Sequence, residues 1–315
     1  MRKNTAPAPF LDLDDNIFAN IRGRITKNAP LGEKTWFATG GGCDILFKPK
    51  DMADLQEFIR AAPHDMPITC VGAGSNIIVR DGGVRGAVIR LTGSFNDINY
   101  NKDANEIICG AGVLDKNLSL FARDNCIGGM AFLYGIPGSI GGAIKMNAGA
   151  NGREIKDILK YCHIVDDKGD RHILSRDDLQ YGYRSSGLKD GWIVTDACFH
   201  AETGEKNIIQ QQMQDVRLHR EASQPLRGRT GGSSFKNPEG KAEGGKKAWQ
   251  LVDEAGMRGF RIGGAHMSEK HCNFMINDLN ATASDLENLG DMVQTQVLKK
   301  TGVRLEWEIK RLGDK

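Results

Sequence analysis

Apolar residues fall in short runs separated by glycine along the first two thirds of the chain. Residues 68–71, 76–80, 86–91 and 106–109 have the length and flanking residues of strands. Further strands are expected over 158–166, 171–174 and 192–200, with Asp167-Lys168-Gly169-Asp170 turning a hairpin between the first two. Met52, Leu55, Phe58 and Ile59 recur at helical spacing, which predicts an amphipathic helix over 51–62 that Pro63 and Pro67 end. A second helix is expected over 118–125. The pattern changes near Glu202-Thr203-Gly204-Glu205. A long polar helix over 206–222 follows and stops before Pro225. The last third alternates helix 246–255, strand 273–277, helix 282–301 and strand 304–311. The fold class is therefore α+β. It divides into an N-terminal tail (1–20), a region in two subdomains (21–202, split near 92–105) and a C-terminal α+β domain (203–315).

Two long glycine-rich stretches interrupt the strands. One is Gly72-Ala73-Gly74-Ser75-Asn76, and the other is Ile136-Pro137-Gly138-Ser139-Ile140-Gly141-Gly142, which runs on to Asn147-Ala148-Gly149-Ala150. Glycine lets the backbone approach a bulky ligand, and successive N–H groups in such turns bind anions. Together the two stretches read as a cradle for a large dinucleotide. The pattern is not a Rossmann unit, because a strand-like run and not a helix follows Gly74. Its phosphates are expected to rest on loops between strands more than on one helix dipole.

Charge and cysteine usage narrow the class. Lys plus Arg is 42 and Asp plus Glu is 40, a formal net charge of +2, which argues against a nucleic-acid partner. The seven cysteines form no CxxC pair and suit a reducing compartment. No signal peptide and no apolar run of about 20 residues is visible, so the expectation is a cytoplasmic protein without a membrane partner. His271 and Cys272 are adjacent, but no second histidine or acid pattern accompanies them, and no metal is expected.

Three further motifs carry candidate chemistry: Tyr181-Gly182-Tyr183-Arg184, Gly231-Gly232-Ser233-Ser234-Phe235-Lys236-Asn237-Pro238, and Leu305-Glu306-Trp307-Glu308-Ile309. In this order, and together with the glycine loops, they resemble the UDP-N-acetylenolpyruvoylglucosamine reductase family. The resemblance runs from about Thr35 to Gly313. It implies bound, non-covalent FAD in the vanillyl-alcohol-oxidase (PCMH) type of fold. It also implies NADPH as hydride donor and UDP-N-acetylglucosamine-enolpyruvate as the substrate that is reduced to UDP-N-acetylmuramate.

By the same resemblance, Arg184 faces the substrate carboxylate, Glu308 assists charge build-up, and Ser233 donates a proton. The residue types suit these tasks. A guanidinium presents a permanent charged fork, a carboxyl with a raised pKa can donate to an enediolate oxygen, and a serine needs a charged neighbour to act as an acid. Ser234 is the rival of Ser233, and Glu306 the rival of Glu308. The cofactor would be held by Gly72, Ala73, Gly74, Ser75, Asn76, Pro137, Gly138, Ser139, Gly141, Gly142, Asn147, Ala148 and Gly149. Lys236 and Asn237 are assigned to the nicotinamide or the substrate, and Arg220 to the UDP diphosphate.

Two departures stand out. Phe37-Ala38-Thr39-Gly40-Gly41 lacks the arginine usual before the first Gly-Gly. No extra tyrosine-bearing loop lies between Arg184 and Ser233, which places the chain with the shorter subclass. Two other readings fit the glycine loops alone: an FAD-dependent oxidase on another substrate, and a non-catalytic flavin-binding module. The motifs of the C-terminal third argue against both.

Overall fold

The computed structural model describes residues 15–238 and 243–315. Strand β1 (Arg24–Ala29) pairs antiparallel with β2 (Cys43–Lys48). Helix α1 (Met52–Ala61) follows, its first turn capped by the Asp51 carboxylate, which accepts from the Asp54 N–H. Strands β3 (Ile68–Cys70), β4 (Ile77–Val79) and β5 (Val84–Ile89) come next. The first sheet has the order β1-β2-β5-β3, with β2, β5 and β3 parallel. Helix α1 buries Leu55, Phe58 and Ile59. Phe58 stacks on Phe47 at 4.1 Å and on Phe18 at 4.9 Å.

Phe18 lies within the expected N-terminal tail, yet it is buried, so the packed chain begins before residue 21. Residues 1–14 of that tail lie outside the described residues. Strands β1 and β2 escaped the sequence pattern: β1 is mostly polar, and β2 hides in a glycine-led stretch. Removing the central ring by Phe58→Ala is expected to lower stability by about 3–5 kcal/mol. A urea midpoint unchanged from the parent protein would contradict this packing role.

The second subdomain holds β6 (Ile98–Asn101), β7 (Glu106–Gly110), α2 (Asp115–Asp124), α3 (Ile140–Lys145), β8 (Leu159–Val165), β9 (Arg171–Ser175) and β10 (Ile193–His200). Its five strands form an antiparallel sheet in the order β9-β8-β10-β7-β6. The hairpin expected at 167–170 joins β8 to β9. Helix α4 (Lys206–Ser223) was expected in the C-terminal domain, but it packs on this subdomain instead. Its buried Ile209 and Met213 meet Ala131, with Tyr134 against them, and Val216 reaches Gly135. A polar helix with one narrow apolar stripe goes wherever a matching groove exists, and here the groove lies N-terminal to it.

The C-terminal unit contains α5 (Ala248–Glu254), β11 (Arg261–Ile262), β12 (Ala265–Met267), β13 (Met275–Asn277), α6 (Ala283–Thr301) and β14 (Lys310–Leu312). Its own core draws on Phe235, Leu251, Met275, Leu286, Leu289 and Val293. The strand expected over 304–311 is extended but serves two partners in turn. Trp307 bridges Phe235, and β14 then pairs in parallel with β4 of the first subdomain. Asp81 accepts from the Ala283 and Ser284 N–H groups at the start of α6, and Arg80 pairs with the largely buried Glu287 at 3.1 Å. The C-terminal unit is thus tied to the first subdomain by backbone, helix cap and ion pair. Among the described residues no helix is long and apolar enough to cross a membrane.

Candidate active site

The two glycine stretches face each other. The first turns from β3 to β4, with Gly74 at φ +70°, and its Gly74 carbonyl accepts from the Trp36 N–H. The second reaches Ser139 and enters α3, so a short helix stands where only loop was expected. A Cβ on Gly72 would lie 2.3 Å from Ser139 Oγ, so the loops touch through the missing side chain. The Ser75 hydroxyl also donates to the Pro137 carbonyl. A Cβ on Gly142 would meet nothing within 4 Å, so that part of the wall is open.

The loops line a cleft of about 1190 Å³ that runs between the subdomains and the C-terminal unit. That exceeds the ~300–1,000 Å³ usual for small-molecule sites and suits an elongated ligand. Gly72, Ala73, Gly74, Ser75, Asn76, Pro137, Gly138, Ser139, Gly141, Gly142, Ala148 and Gly149 all lie on its wall. Asn147 does not; it is buried behind the wall as a brace. Residues 37–42 lie off the cleft, and only Trp36 of that neighbourhood lines it. Thr39 instead donates to the Ala281 carbonyl, and the Phe37 carbonyl accepts from Asn277, so the departing loop is used in domain docking.

Cationic side chains line the same cleft, among them Arg90, Lys145, Arg220, Arg227 and Arg229. Arg220 is held by Gln224, Nε to Oε1 at 2.9 Å, and burial lowers its pKa. A desolvated guanidinium on the wall of a cleft favours an anionic ligand such as a phosphate.

Asp115, at the start of α2, supports the second loop from beneath. Its N–H donates to the Gly138 carbonyl at 3.2 Å, and a Cβ on Gly138 would meet its Oδ2 at 2.7 Å. The side chain is fully buried, with neither carboxyl oxygen hydrogen-bonded to a protein group, and burial raises its pKa well above the carboxylate range. The fold therefore keeps this proton where the unfolded chain has released it. Stability from Asp115 is complete below the unfolded pKa and is lost as pH rises toward the folded value. Asp115→Asn, neutral throughout, is expected to reduce the loss of stability between acid and neutral pH. Denaturation midpoints across that range test this, and an unchanged pH dependence would show that Asp115 does not titrate as described.

Arg184 has left-handed backbone, φ +51°, in the tight turn Gly182–Ser185. This turn drives its side chain inward. Its guanidinium donates from Nη2 to the Gly149 carbonyl at 2.8 Å and from Nε to Glu308 Oε1 at 3.1 Å. Nη1 approaches the Asn147 carbonyl and Glu154 Oε1, each at 3.4 Å. The Tyr183 ring lies 4.9 Å beneath the guanidinium. Burial raises the Glu308 pKa, opposed by Arg184 and by Lys236.

Glu306 is exposed, whereas Glu308 turns toward the cleft. Ser233 lines the cleft. Ser234 points the other way, fully buried, its hydroxyl accepting from the Met275 N–H at 3.2 Å. Neighbouring side chains in extended backbone take opposite faces, and only one of these two serines meets the site. Arg184, Glu308 and Ser233 therefore line one cleft with the glycine loops.

Lys236 and Asn237 do not line it. Asn237 donates to the Tyr183 hydroxyl at 3.2 Å and accepts from the Ala248 N–H, which fixes the start of α5. Lys236 donates its backbone N–H to the Glu306 carbonyl. Sequence reasoning missed Glu154; its one local signal is the cap pattern it makes with Asp157.

Comparison with known proteins follows the same outline. An FAD binding domain profile matches residues 43–175, and a profile for the C-terminal domain of UDP-N-acetylenolpyruvoylglucosamine reductase matches residues 224–312. A protein of Azorhizobium caulinodans named UDP-N-acetylenolpyruvoylglucosamine reductase is 49% identical over 312 residues, 98% of this chain and 99% of its own. The chain belongs to that reductase family. A family member from Gluconobacter oxydans is 48% identical over 295 residues, covering 94% of each chain. The crystal structure of the Thermus caldophilus reductase superposes with a TM-score of 0.79 at 31% identity, over 93% of this chain and 99% of that one. The FAD binding domain profile and the superposed reductase structure agree with the FAD-binding fold expected from the motifs. The second profile begins at residue 224, just past the end of α4.

Proposed function

We propose that this chain reduces UDP-N-acetylglucosamine-enolpyruvate to UDP-N-acetylmuramate in the cytoplasm, with NADPH as hydride donor, FAD as bound cofactor and peptidoglycan precursor as product. The observation that carries this reading is the shared wall: Arg184, Glu308 and Ser233 stand in one cleft with both glycine loops. The glycine loops fit the cofactor's diphosphate, and Gly142 leaves room for close approach.

Bound FAD supplies the hydride chemistry, and the protein supplies placement and charge. Arg184 is positioned to hold the substrate carboxylate, where negative charge grows once the methylene carbon is reduced. Glu308, with its pKa raised by burial, can keep a proton and share it with an enediolate oxygen. Ser233 delivers a proton to the adjacent carbon, and Arg220 contributes to holding the UDP diphosphate. Asn147 serves by bracing Arg184. Lys236 supports the site through its charge, and Asn237 through Tyr183. The test is steady-state NADPH oxidation. It should require the enolpyruvyl substrate and yield UDP-N-acetylmuramate by mass spectrometry. NADPH oxidation that ignores this substrate would contradict the assignment.

A further inference from the structure

Glu154 carries no role in the reaction outlined above, yet it is built into the site. Its side chain is only 20% exposed. Oε2 accepts from Asn147 Nδ2 at 3.0 Å and pairs with Lys156 Nζ at 2.8 Å. The carboxylate also accepts from the Asp157 N–H, while the Glu154 N–H donates to Asp157 Oδ2 at 2.8 Å. Oε1 is left to face Arg184 Nη1 at 3.4 Å. Asn147 is itself fixed: it is fully buried, donates to the Gly182 carbonyl and accepts from the Lys156 N–H. A carboxylate anchored at this many points is a rigid part of the Arg184 pocket, not a solvated surface charge.

One guanidinium therefore serves two carboxylates through different nitrogens, Glu308 at Nε and Glu154 at Nη1. We propose that Glu154 is a positioning residue for the substrate-reducing step, which holds Arg184 at Nη1 and takes a share of its charge, so that Glu308 is not bound into a full ion pair. This rests on the roles given above to Arg184 and Glu308. Three groups face Glu308: Arg184 and Tyr183 from one segment and Lys236 from another. On the far side of Arg184 stand Glu154 and its neighbour Lys156. Removing the Glu154 charge hands the whole of Arg184 to Glu308. The Glu308 proton should then leave at lower pH.

The direct test is the carboxyl ¹³C resonance of Glu308 in the FAD-loaded protein, assigned by its absence in Glu308→Gln and followed against pH. Glu154→Gln should lower its midpoint by about two pH units, the scale expected for one charge roughly 6–8 Å away at an effective dielectric of ~20. Flavin reoxidation by the enolpyruvyl substrate should lose rate at correspondingly lower pH. Glu154→Asp keeps the charge and shortens the reach. It should hold the midpoint while slowing reoxidation. An unchanged midpoint in Glu154→Gln overturns the proposal. If that variant fails to fold, Glu154→Asp decides, and normal reoxidation by substrate in that variant overturns it. Failure of the reductase reading would show separately, as absence of reoxidation by substrate in the unsubstituted protein.

Discussion

Ser233→Ala is expected to leave flavin reduction by NADPH near normal and to slow reoxidation by the enolpyruvyl substrate by about 10²–10⁴-fold, the range for loss of a positioned proton donor. The change removes one oxygen. Ser233 is only partly buried, so little packing is lost. Ser234 cannot take over: it is fully buried, and its hydroxyl is engaged by the Met275 N–H. Stopped-flow measurement of the two half-reactions separates these effects. Normal reoxidation would remove Ser233 from the mechanism. Equal slowing of both halves would point to a distorted cleft.

Arg184→Lys should slow the same half-reaction by roughly 10²–10³-fold, as expected when a donor aimed at developing charge is lost. Arg184 reaches the Gly149 carbonyl, Glu308, Glu154 and the Asn147 carbonyl from three separate nitrogens. An ammonium is a single point with three donors and cannot span that set while also holding a substrate carboxylate. Charge is retained, so a near-normal rate in Arg184→Lys would show that charge alone matters and that the fork does not. Substrate titration of the reoxidation rate adds a second reading: a loss confined to the maximal rate places the interaction in the transition state, and a loss confined to half-saturation places it in binding.

The parts of this site legible in the sequence were those written locally. Glycine strings mark backbone that must run close to a ligand, and the two loops do line the cleft. The helix over Met52–Ala61 is equally local, fixed by its apolar spacing and by Asp51 at its start. What the sequence hid depends on distant partners. Arg184 and Glu308 are 124 residues apart, and nothing near either predicts their 3.1 Å contact. Glu154 looks like an ordinary turn acid until Asn147 and Arg184 are seen around it. Asn237, inside a family motif, was expected at the nicotinamide or the substrate but braces Tyr183 and α5. Helix α4 follows a clear change in composition, yet its apolar stripe fits a groove in the preceding subdomain. The strand-like run 304–311 reads as one element because its alternation continues while its pairing partner changes from Phe235 to β4.

The central claim is that one cleft passes reducing equivalents from NADPH through flavin to an enolpyruvyl sugar nucleotide. It is tested most directly by anaerobic absorbance of the flavin-loaded protein. Addition of NADPH should bleach the flavin, and addition of UDP-N-acetylglucosamine-enolpyruvate should restore its colour. Bleaching without recovery would contradict the proposed acceptor, and a protein that takes up no FAD would contradict the reading of the glycine loops.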